Sequence, residues 1–289
     1  MHKSSLYLPD DLKADLARLS SRSGRSEADL IRTAISSLVA SEHAGETKTT
    51  QAVIPFRSPC CVLVGVGPGD PALVCDLARR TLSEADRVVV AAPDQRAVGR
   101  AELVVRTAAP GTKVTRVPFA FGGDEAARAE SLGDIVDALV AGTDVGELVV
   151  LAVLGDPTQW APFARLHSAL TERRPQLEVA VVPGVSAYQA VAAGARMALG
   201  GGGGSLVVVH DRDQLDRALA DPAATVAVAK GSVAGAELKA VADLHGRHGL
   251  VGEMADLSGR GLIPVDALDD GPLAFLSTIL FPSTTPDSP

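Results

Sequence analysis

Short valine-rich runs alternate with amphipathic stretches along most of the chain from Cys60 onward. The apolar runs of the first half are CVLVGV, DRVVVAA, ELVVLAVL and LEVAVVP. Helical patterns lie between or beside them, in PALVCDLARRTL, SLGDIVDALVAG and PFARLHSALTERR. Near-continuous apolar strands that are separated by helices are typical of a largely parallel sheet, and we therefore predict an α/β fold.

A run of five glycines at 200–204 interrupts this alternation. The pattern then resumes with SLVVVHD, ATVAVAK, a helix around Glu237 to His245, LVGEM and LAFLSTILF. We predict two α/β lobes, an N-terminal lobe at 59–199 and a C-terminal lobe at 205–283, with a cleft between them. Glycine is too flexible for the interior of an element, so the run should be a hinge or linker between the lobes.

The first 43 residues have a different pattern. KSSLYL predicts one short strand, and Pro9 opens a helix with Leu12, Leu16 and Leu19 on one face. Ser26 and Asp29 form a capping pair for a second helix, whose apolar stripe includes Leu30 and Ile31. One strand and two helices cannot close a core alone, so this module should dimerise. Residues 44–58 are polar and aperiodic and are predicted to be a linker.

The order of these elements and the sequences LPDDL and GRSEADLIRTAI resemble the ribbon-helix-helix family of DNA-binding regulators. The resemblance implies a two-stranded ribbon in the major groove, with Lys3, Ser5 and Tyr7 facing outward and Ser26 near a phosphate. Acidic and basic residues nearly balance over 1–46, so the attraction to phosphates is weak. The alternative is a module that only dimerises the chain or docks another protein.

Bulk properties restrict the class of protein. The chain has 289 residues, of which 46% are hydrophobic and 21% charged, as in ordinary globular proteins. No apolar run approaches the length of about 20 residues that spans a bilayer, and the N-terminus has no signal-like apolar segment. We therefore expect a cytoplasmic protein without membrane contact. The three cysteines have no metal-type spacing, and no metal site is predicted.

Three glycine-containing turns follow predicted strands. The first, Gly65 to Asp70, fits only part of the Rossmann pattern, because Asp70 replaces the third glycine and would cap the following helix and repel a phosphate. Gly155-Asp156-Pro157 and Pro183-Gly184-Val185-Ser186 end two further strands. Bare backbone and carboxylates suit a ligand with hydroxyls and a positive centre. S-adenosylmethionine, with its ribose and sulfonium, fits that description.

The segments GVGPGDPALV, LGDPTQW and VVPGVSAYQA, in this order, resemble the tetrapyrrole (corrin/porphyrin) methylase family. VPFAF, AVAKGS, GEMADL and the LAFLSTILF ending are most similar to precorrin-2 C20-methyltransferases. The resemblance spans about 60–282 and implies a two-lobed homodimer that binds S-adenosylmethionine between its lobes, largely through backbone atoms. Its implied contacts are Pro68, Leu154, Gly155, Asp156, Gln159, Ser186, Ala187, Ala229 and Ala255.

A corrinoid precursor carries several carboxylates, so its pocket should offer cations. The candidates are Arg79, Arg96, Arg100, Arg116, Arg165 and Lys230, and the sequence does not show which of them face the cleft. Asp70 is a candidate proton acceptor, with capping as its alternative role. His245 and His248 share a helical face, which is more typical of solvated residues than of a metal site.

Three functions remain open. The leading hypothesis is a methyltransferase that uses S-adenosylmethionine on a precorrin-like tetrapyrrole or a related small molecule. A second is the same chemistry on a peptide, protein or RNA acceptor. A third is a DNA-binding regulator whose methylase lobes sense a ligand.

Overall fold

The computed structural model describes residues 9–23, 25–34, 54–121, 124–159, 162–200, 204–229, 233–253, 261–274 and 276–285. Its contacts divide the chain into two compact units, Met1–Pro55 and Phe56–Pro289. Within the described ranges, no helix is long and apolar enough to cross a membrane.

The first unit contains helix α1 (Asp10–Ser23) and helix α2, described over 27–34. The capping pair predicted for α2 is present, because the Asp29 amide donates to Ser26 Oγ at 3.1 Å while Ser26 Oγ donates to Asp29 Oδ2 at 2.8 Å. Leu12 on the predicted apolar face of α1 is 51% exposed. The predicted strand, with Lys3, Ser5 and Tyr7, lies outside the described residues, so the ribbon-helix-helix assignment stays a prediction.

The second unit begins with a five-stranded, wholly parallel sheet of order β3-β2-β4-β1-β5. Its strands are β1 (Cys60–Gly65), β2 (Arg87–Ala92), β3 (Val114–Pro118), β4 (Leu148–Val153) and β5 (Glu178–Val182). All six residues of β1 and of β4 are buried, because these strands lie inside the sheet and helices cover it. The predicted parallel α/β sheet is therefore confirmed, while β3 is an edge strand that the apolar pattern did not indicate.

Four described helices accompany this sheet: α3 (Asp76–Glu84), α4 (Arg100–Ala108), α5 (Glu125–Asp144) and α6 (Phe163–Arg173). The next helix, α7 (Ala187–Ala195), follows β5 in the chain but packs on the second sheet. The single helix predicted over 71–82 was wrong. The chain instead makes a 3₁₀ turn at Pro71–Leu73 and starts α3 at Asp76. The physical reason is a second cap, since Cys75 Sγ accepts a hydrogen bond from the Ala78 amide at 3.4 Å.

The second sheet has the order β6-β7-β10-β8-β9. Its strands are β6 (Leu206–Val209), β7 (Thr225–Ala229), β8 (Leu250–Glu253), β9 (Leu262–Pro264) and β10 (Ser277–Phe281), with helices α8 (Arg212–Leu219) and α9 (Gly235–Leu244). Only β6 and β7 are parallel; β10 lies antiparallel to both of its neighbours. The last described strand, β10, is thus the central strand of this sheet.

A buried arginine fastens the second sheet to its loops. Arg247 is 4% exposed, and its guanidinium donates to the carbonyls of Leu219, Asp221, Ala224 and Pro282. Burial lowers the pKa of this guanidinium. The four carbonyls supply the polar partners that a buried cation needs.

Candidate functional site

Three glycines meet where β1, β4 and β5 end. A Cβ atom on Gly65 would lie 2.6 Å from the Gly184 nitrogen, and one on Gly184 would lie 2.2 Å from the Gly155 carbonyl oxygen. Gly155 itself has φ +80°, in the left-handed region that favours glycine. The three turns can therefore approach one another only because these positions carry no side chain.

Backbone hydrogen bonds join the first two turns. The Gly155 amide donates to the Gly67 carbonyl at 2.7 Å, and the Val66 amide donates to the Val153 carbonyl at 2.9 Å. The carboxyl edge of the sheet thus presents bare backbone. Ligands of open α/β folds bind at this edge.

The Asp156 carboxylate connects the second turn to the third. Its Oδ2 accepts a hydrogen bond from the Gly184 amide at 2.9 Å, and its Oδ1 accepts one from the Thr158 amide at 2.8 Å. Beside it, the Ser186 amide donates to Gln189 Oε1 at 2.8 Å at the start of α7. These side chains fix the turns against each other, so the cleft that they border is preorganised.

A cleft of about 450 Å³ opens at this edge, a size typical of small-molecule sites. Seven of the residues predicted to contact a cofactor line it: Pro68, Leu154, Gly155, Asp156, Gln159, Ser186 and Ala187. The second sheet contributes Val208, Ser277 and Thr278 to the same cleft. Residues that are far apart in the chain are therefore brought to one surface between the two sheets.

The other predicted contacts lie elsewhere. Ala229 is in β7, paired with the cleft residue Thr278, but it is not itself in the cleft lining. Ala255 lies outside the described residues. Asp70, the predicted proton acceptor, is exposed and outside the lining; its Oδ1 accepts the Ala72 amide at 2.8 Å. The geometry gives Asp70 the capping role that the sequence left as its alternative.

Of the cationic candidates, only Arg100 lines the cleft within the described ranges. Arg79 donates to the carbonyls of Ala108 and Pro71, and Arg165 pairs with Glu125. Arg96 is exposed and outside the lining, and Lys230 lies outside the described residues. Of the five arginines that the sequence offered as equivalent candidates, the structure thus places one in the described cleft lining.

Arg116 is held by a buried carboxylate instead of facing the cleft. Arg116 Nε donates to Glu102 Oε2 at 2.5 Å, and Arg106 Nε donates to Glu102 Oε1 at 2.7 Å. The hydrogen bond from Arg116 lowers the pKa of Glu102, which is itself 0% exposed. The pair fastens α4 to β3 behind the cleft.

Other cleft residues were not predicted from the sequence. They include Pro93, Phe121 and Tyr188 on the first lobe and Ser277 and Thr278 on the second. Ser277 is fully buried, and its Oγ has no hydrogen-bond partner within the described structure. Two adjacent hydroxyls at the start of an otherwise apolar strand, in LAFLSTILF, were the available signal.

No group of three or more metal-ligating side chains occurs within the described ranges. His245 Nε2 lies 2.8 Å from Asp216 Oδ1, whereas His248 is exposed. The shared helical face predicted for the two histidines was wrong, because α9 ends at Leu244 with His245 as its C-cap, and His248 lies beyond the helix. His245 has the geometry of a surface ion pair with Asp216.

The fold and the cleft define a class of protein. The family model of the tetrapyrrole (corrin/porphyrin) methylases matches residues 61–254, and the chain belongs to this family.

Among curated proteins, the chain is similar to the cobalamin biosynthesis protein CobIJ of Mycobacterium bovis and of Mycobacterium tuberculosis. Each is 30% identical over 241 residues, an alignment that covers 76% of this chain and 45% of the relative. The chain thus spans less than half the length of the curated relatives that it matches.

Solved structures share the fold. A cobalamin biosynthetic enzyme, the cobalt precorrin-4 methyltransferase CbiF, is 21% identical with a TM-score of 0.59, and the match covers 77% of this chain and 94% of that one. The uroporphyrin III C-methyltransferase of Thermus thermophilus is 23% identical with a TM-score of 0.54, and the match covers 77% and 96%.

Proposed function

We propose that the protein is a methyltransferase that uses S-adenosylmethionine to methylate a precorrin-like tetrapyrrole or a related small molecule. The observation that carries this proposal is the gathering of seven residues from three family motifs around one cleft. The cobalamin-related names of the similar proteins support a tetrapyrrole acceptor. The similarity of the motifs to precorrin-2 C20-methyltransferases favours methylation of that type.

The cleft fits the cofactor chemically. The close approach of Gly65 and Gly184 holds Gly155 at the cleft, where the backbone of Leu154 and Gly155 can accept ribose hydroxyls and an adenine ring. The unpartnered Ser277 hydroxyl offers a further hydrogen bond from the opposite wall. When bound, S-adenosylmethionine supplies an electrophilic methyl group on a sulfonium.

The chain's own contribution is alignment. Direct displacement at a methyl group gains most of its acceleration from holding the reacting atoms in line. The Asp156 bridge to Gly184 fixes two of the turns that would hold the cofactor. A tetrapyrrole carbon is already electron-rich, so a strong protein base is not required, which agrees with the capping role of Asp70.

Calorimetric titration with S-adenosylmethionine and S-adenosylhomocysteine tests the proposal. We expect micromolar or tighter binding that Asp156→Arg abolishes, because the larger cation would displace the Gly184 amide and fill the cleft. Asp134→Arg, an exposed change of the same charge on α5, is the matched control and should bind normally. Absence of binding to the unaltered protein would refute the proposal.

A second candidate is a regulator that binds DNA through the N-terminal module and senses a ligand with the methylase lobes. The two successive helices α1 and α2, the second of them capped by Ser26, favour it. A mobility-shift assay on the upstream DNA, with Lys3→Ala and Tyr7→Ala as variants, tests DNA binding, and methyl transfer separates an enzyme from a sensor. We also propose a homodimer, which light scattering at micromolar concentration would test.

A further inference from the structure

The cleft has a part to which the motif-derived contacts do not extend. Those contacts follow β1, β4 and β5, which are neighbours in the sheet. Part of the remaining first-lobe lining follows β2 and β3, on the other side of β4. It comprises Pro93, Gly99, Arg100, Ala101 and Phe121. The sheet order thus separates the proposed cofactor side from a second side with its own lining.

Arg100 is the charged group of this second side. It is the first residue of α4, and its Nε is buried without a hydrogen-bond partner among the described residues. A Cβ on Gly69 would lie 3.0 Å from that Nε and 3.4 Å from Nη2. Gly69 therefore makes room for the guanidinium beside Pro68, within the first turn.

The acidic residues nearest to Arg100 along the chain, Glu102 and Asp94, already accept other hydrogen bonds. Both oxygens of Glu102 accept from Arg106 and Arg116. Asp94 Oδ1 accepts the amides of Arg96 and Ala97 at 2.6 and 2.7 Å, and these hydrogen bonds lower the pKa of Asp94. In the described lining, Asp156 is the one acidic residue, and it holds Gly184 and Thr158.

A partly buried guanidinium without a hydrogen-bond partner is costly in free energy unless a ligand supplies that partner. We propose that Arg100 binds a carboxylate of the methyl acceptor and sets the preference of the cleft for an acidic acceptor. A guanidinium matches a carboxylate in a bidentate, charge-assisted pair. Phe121 and Pro93 supply apolar surface for a planar ring beside it. This inference rests on the proposed function.

The competing assignment is that Arg100 binds the amino-acid carboxylate of the cofactor. Two pairs of probes distinguish this role from binding of the acceptor carboxylate. Uroporphyrin III and its carboxamide derivative share a macrocycle but differ in charge. S-adenosylhomocysteine and 5′-methylthioadenosine share the adenosine thioether, but only the first has a carboxylate. Porphyrin absorbance measures binding of the first pair of probes, and calorimetry measures binding of the second pair.

The variants are Arg100→Gln, Arg100→Lys and the matched control Arg96→Gln, an exposed arginine outside the cleft. We expect Arg100→Gln to weaken uroporphyrin binding by about tenfold or more, the order expected for one charge-assisted pair. The affinities of Arg100→Gln for the uroporphyrin carboxamide and for S-adenosylhomocysteine should stay within about twofold of those of the unaltered protein. Neither ligand is expected to pair with Arg100. Arg100→Lys should be intermediate and Arg96→Gln unchanged.

Equal uroporphyrin affinity in Arg100→Gln would overturn the inference. So would a loss confined to S-adenosylhomocysteine that spares methylthioadenosine, because Arg100 would then serve the cofactor. Cofactor binding without any porphyrin binding by the unaltered protein would also overturn it.

Failure of the proposed function gives a different result, namely no binding of S-adenosylmethionine or its product. If circular dichroism shows that Arg100→Gln does not fold, Arg100→Lys is compared with the unaltered protein instead. An unchanged uroporphyrin affinity with an unchanged salt dependence in Arg100→Lys would then overturn the inference.

Discussion

The carboxylate of Asp156 accepts a hydrogen bond from the backbone amide of Gly184, 28 positions further along the chain, at 2.9 Å. One side chain thereby sets the separation of two strand-end turns that border the same cleft. Its other oxygen is engaged by Thr158 in its own turn. Asp156 thus acts on the cleft by fixing its backbone, whatever further contact it makes with a ligand.

We predict that Asp156→Asn lowers stability by about 1–2 kcal/mol, because the amide nitrogen must replace one of two accepting oxygens. Cofactor affinity should fall as the turns separate. Thermal melting and calorimetry measure the two effects. Asp134→Asn on α5 is the control, and equal losses in both variants would contradict the assignment of this role to Asp156.

Gly184→Ala should be more damaging. The new Cβ would lie 2.2 Å from the Gly155 carbonyl oxygen, so the backbone must shift, at a cost of about 1–3 kcal/mol. Gly133→Ala is a sharp control, because nothing lies within 4 Å of a Cβ there and the site is inside α5. That change should raise stability by about 0.4–1 kcal/mol. If denaturant unfolding gave both alanines the same effect, the three-glycine contact would have no energetic role.

Ser277→Ala is expected to affect stability and binding in opposite directions. Removing a buried hydroxyl that has no described partner should leave stability unchanged or raise it by about 1 kcal/mol. Ligand affinity should fall by about tenfold, since the hydroxyl is then missing from the cleft wall. Melting temperature and calorimetric affinity of the same preparation provide the comparison. A loss of stability with unchanged affinity would show that the hydroxyl is structural.

The three cysteines should react with thiol reagents in two classes. Burial raises the pKa of Cys60 to about 11 and that of Cys61 to about 12, whereas Cys75 is exposed. At pH 8 one thiol should react rapidly and two only after denaturation. Cys75→Ser, which replaces the capping sulfur with a hydroxyl oxygen that can accept the same hydrogen bond, should remove the fast phase. Rapid labelling of two or more thiols in the native protein would contradict this.

The same shifts predict a loss of stability in alkali. Both thiols have folded-state pKa values above the ordinary value of 9.0, so their contribution is fully present below pH 9. It declines progressively as the pH rises above 9.0, through about 11 for Cys60 and about 12 for Cys61. Denaturant unfolding between pH 8 and pH 11 measures it, and Cys61→Ala should flatten the decline.

The sequence predicted what depends on local pattern. The apolar runs that contain β1, β2 and β4 are continuous because these strands lie inside the sheet and are mostly buried, and such a run can be recognised in the sequence. The run that contains β5 is also apolar, although this edge strand is only partly buried. Motif resemblance likewise selected seven of the cleft residues. Their roles as cofactor contacts remain predictions.

Tertiary pairing could not be predicted in this way. The sequence does not distinguish Arg116 from Arg100 as a residue that binds a carboxylate in the cleft. Only the structure shows that Arg116 is paired with Glu102 and that Arg100 lines the cleft. The break at Cys75 depends on a thiol acting as a cap, which the helical spacing of 71–82 does not indicate. Ser277 becomes notable only when its burial and lack of a partner are known.

The central place of β10 in the second sheet has a consequence for biosynthesis. β5, the last strand of the first sheet, ends at Val182, so that sheet has all of its strands long before β10 has been translated. The second sheet must instead hold β7 and β8 apart until Ser277–Phe281 arrives between them. Because domains fold as units during synthesis, the first lobe can fold on the ribosome while the second waits. The wall that carries Ser277 and Thr278 is therefore the last part of the cleft to form, and a nascent chain cannot hold ligand between its sheets before then.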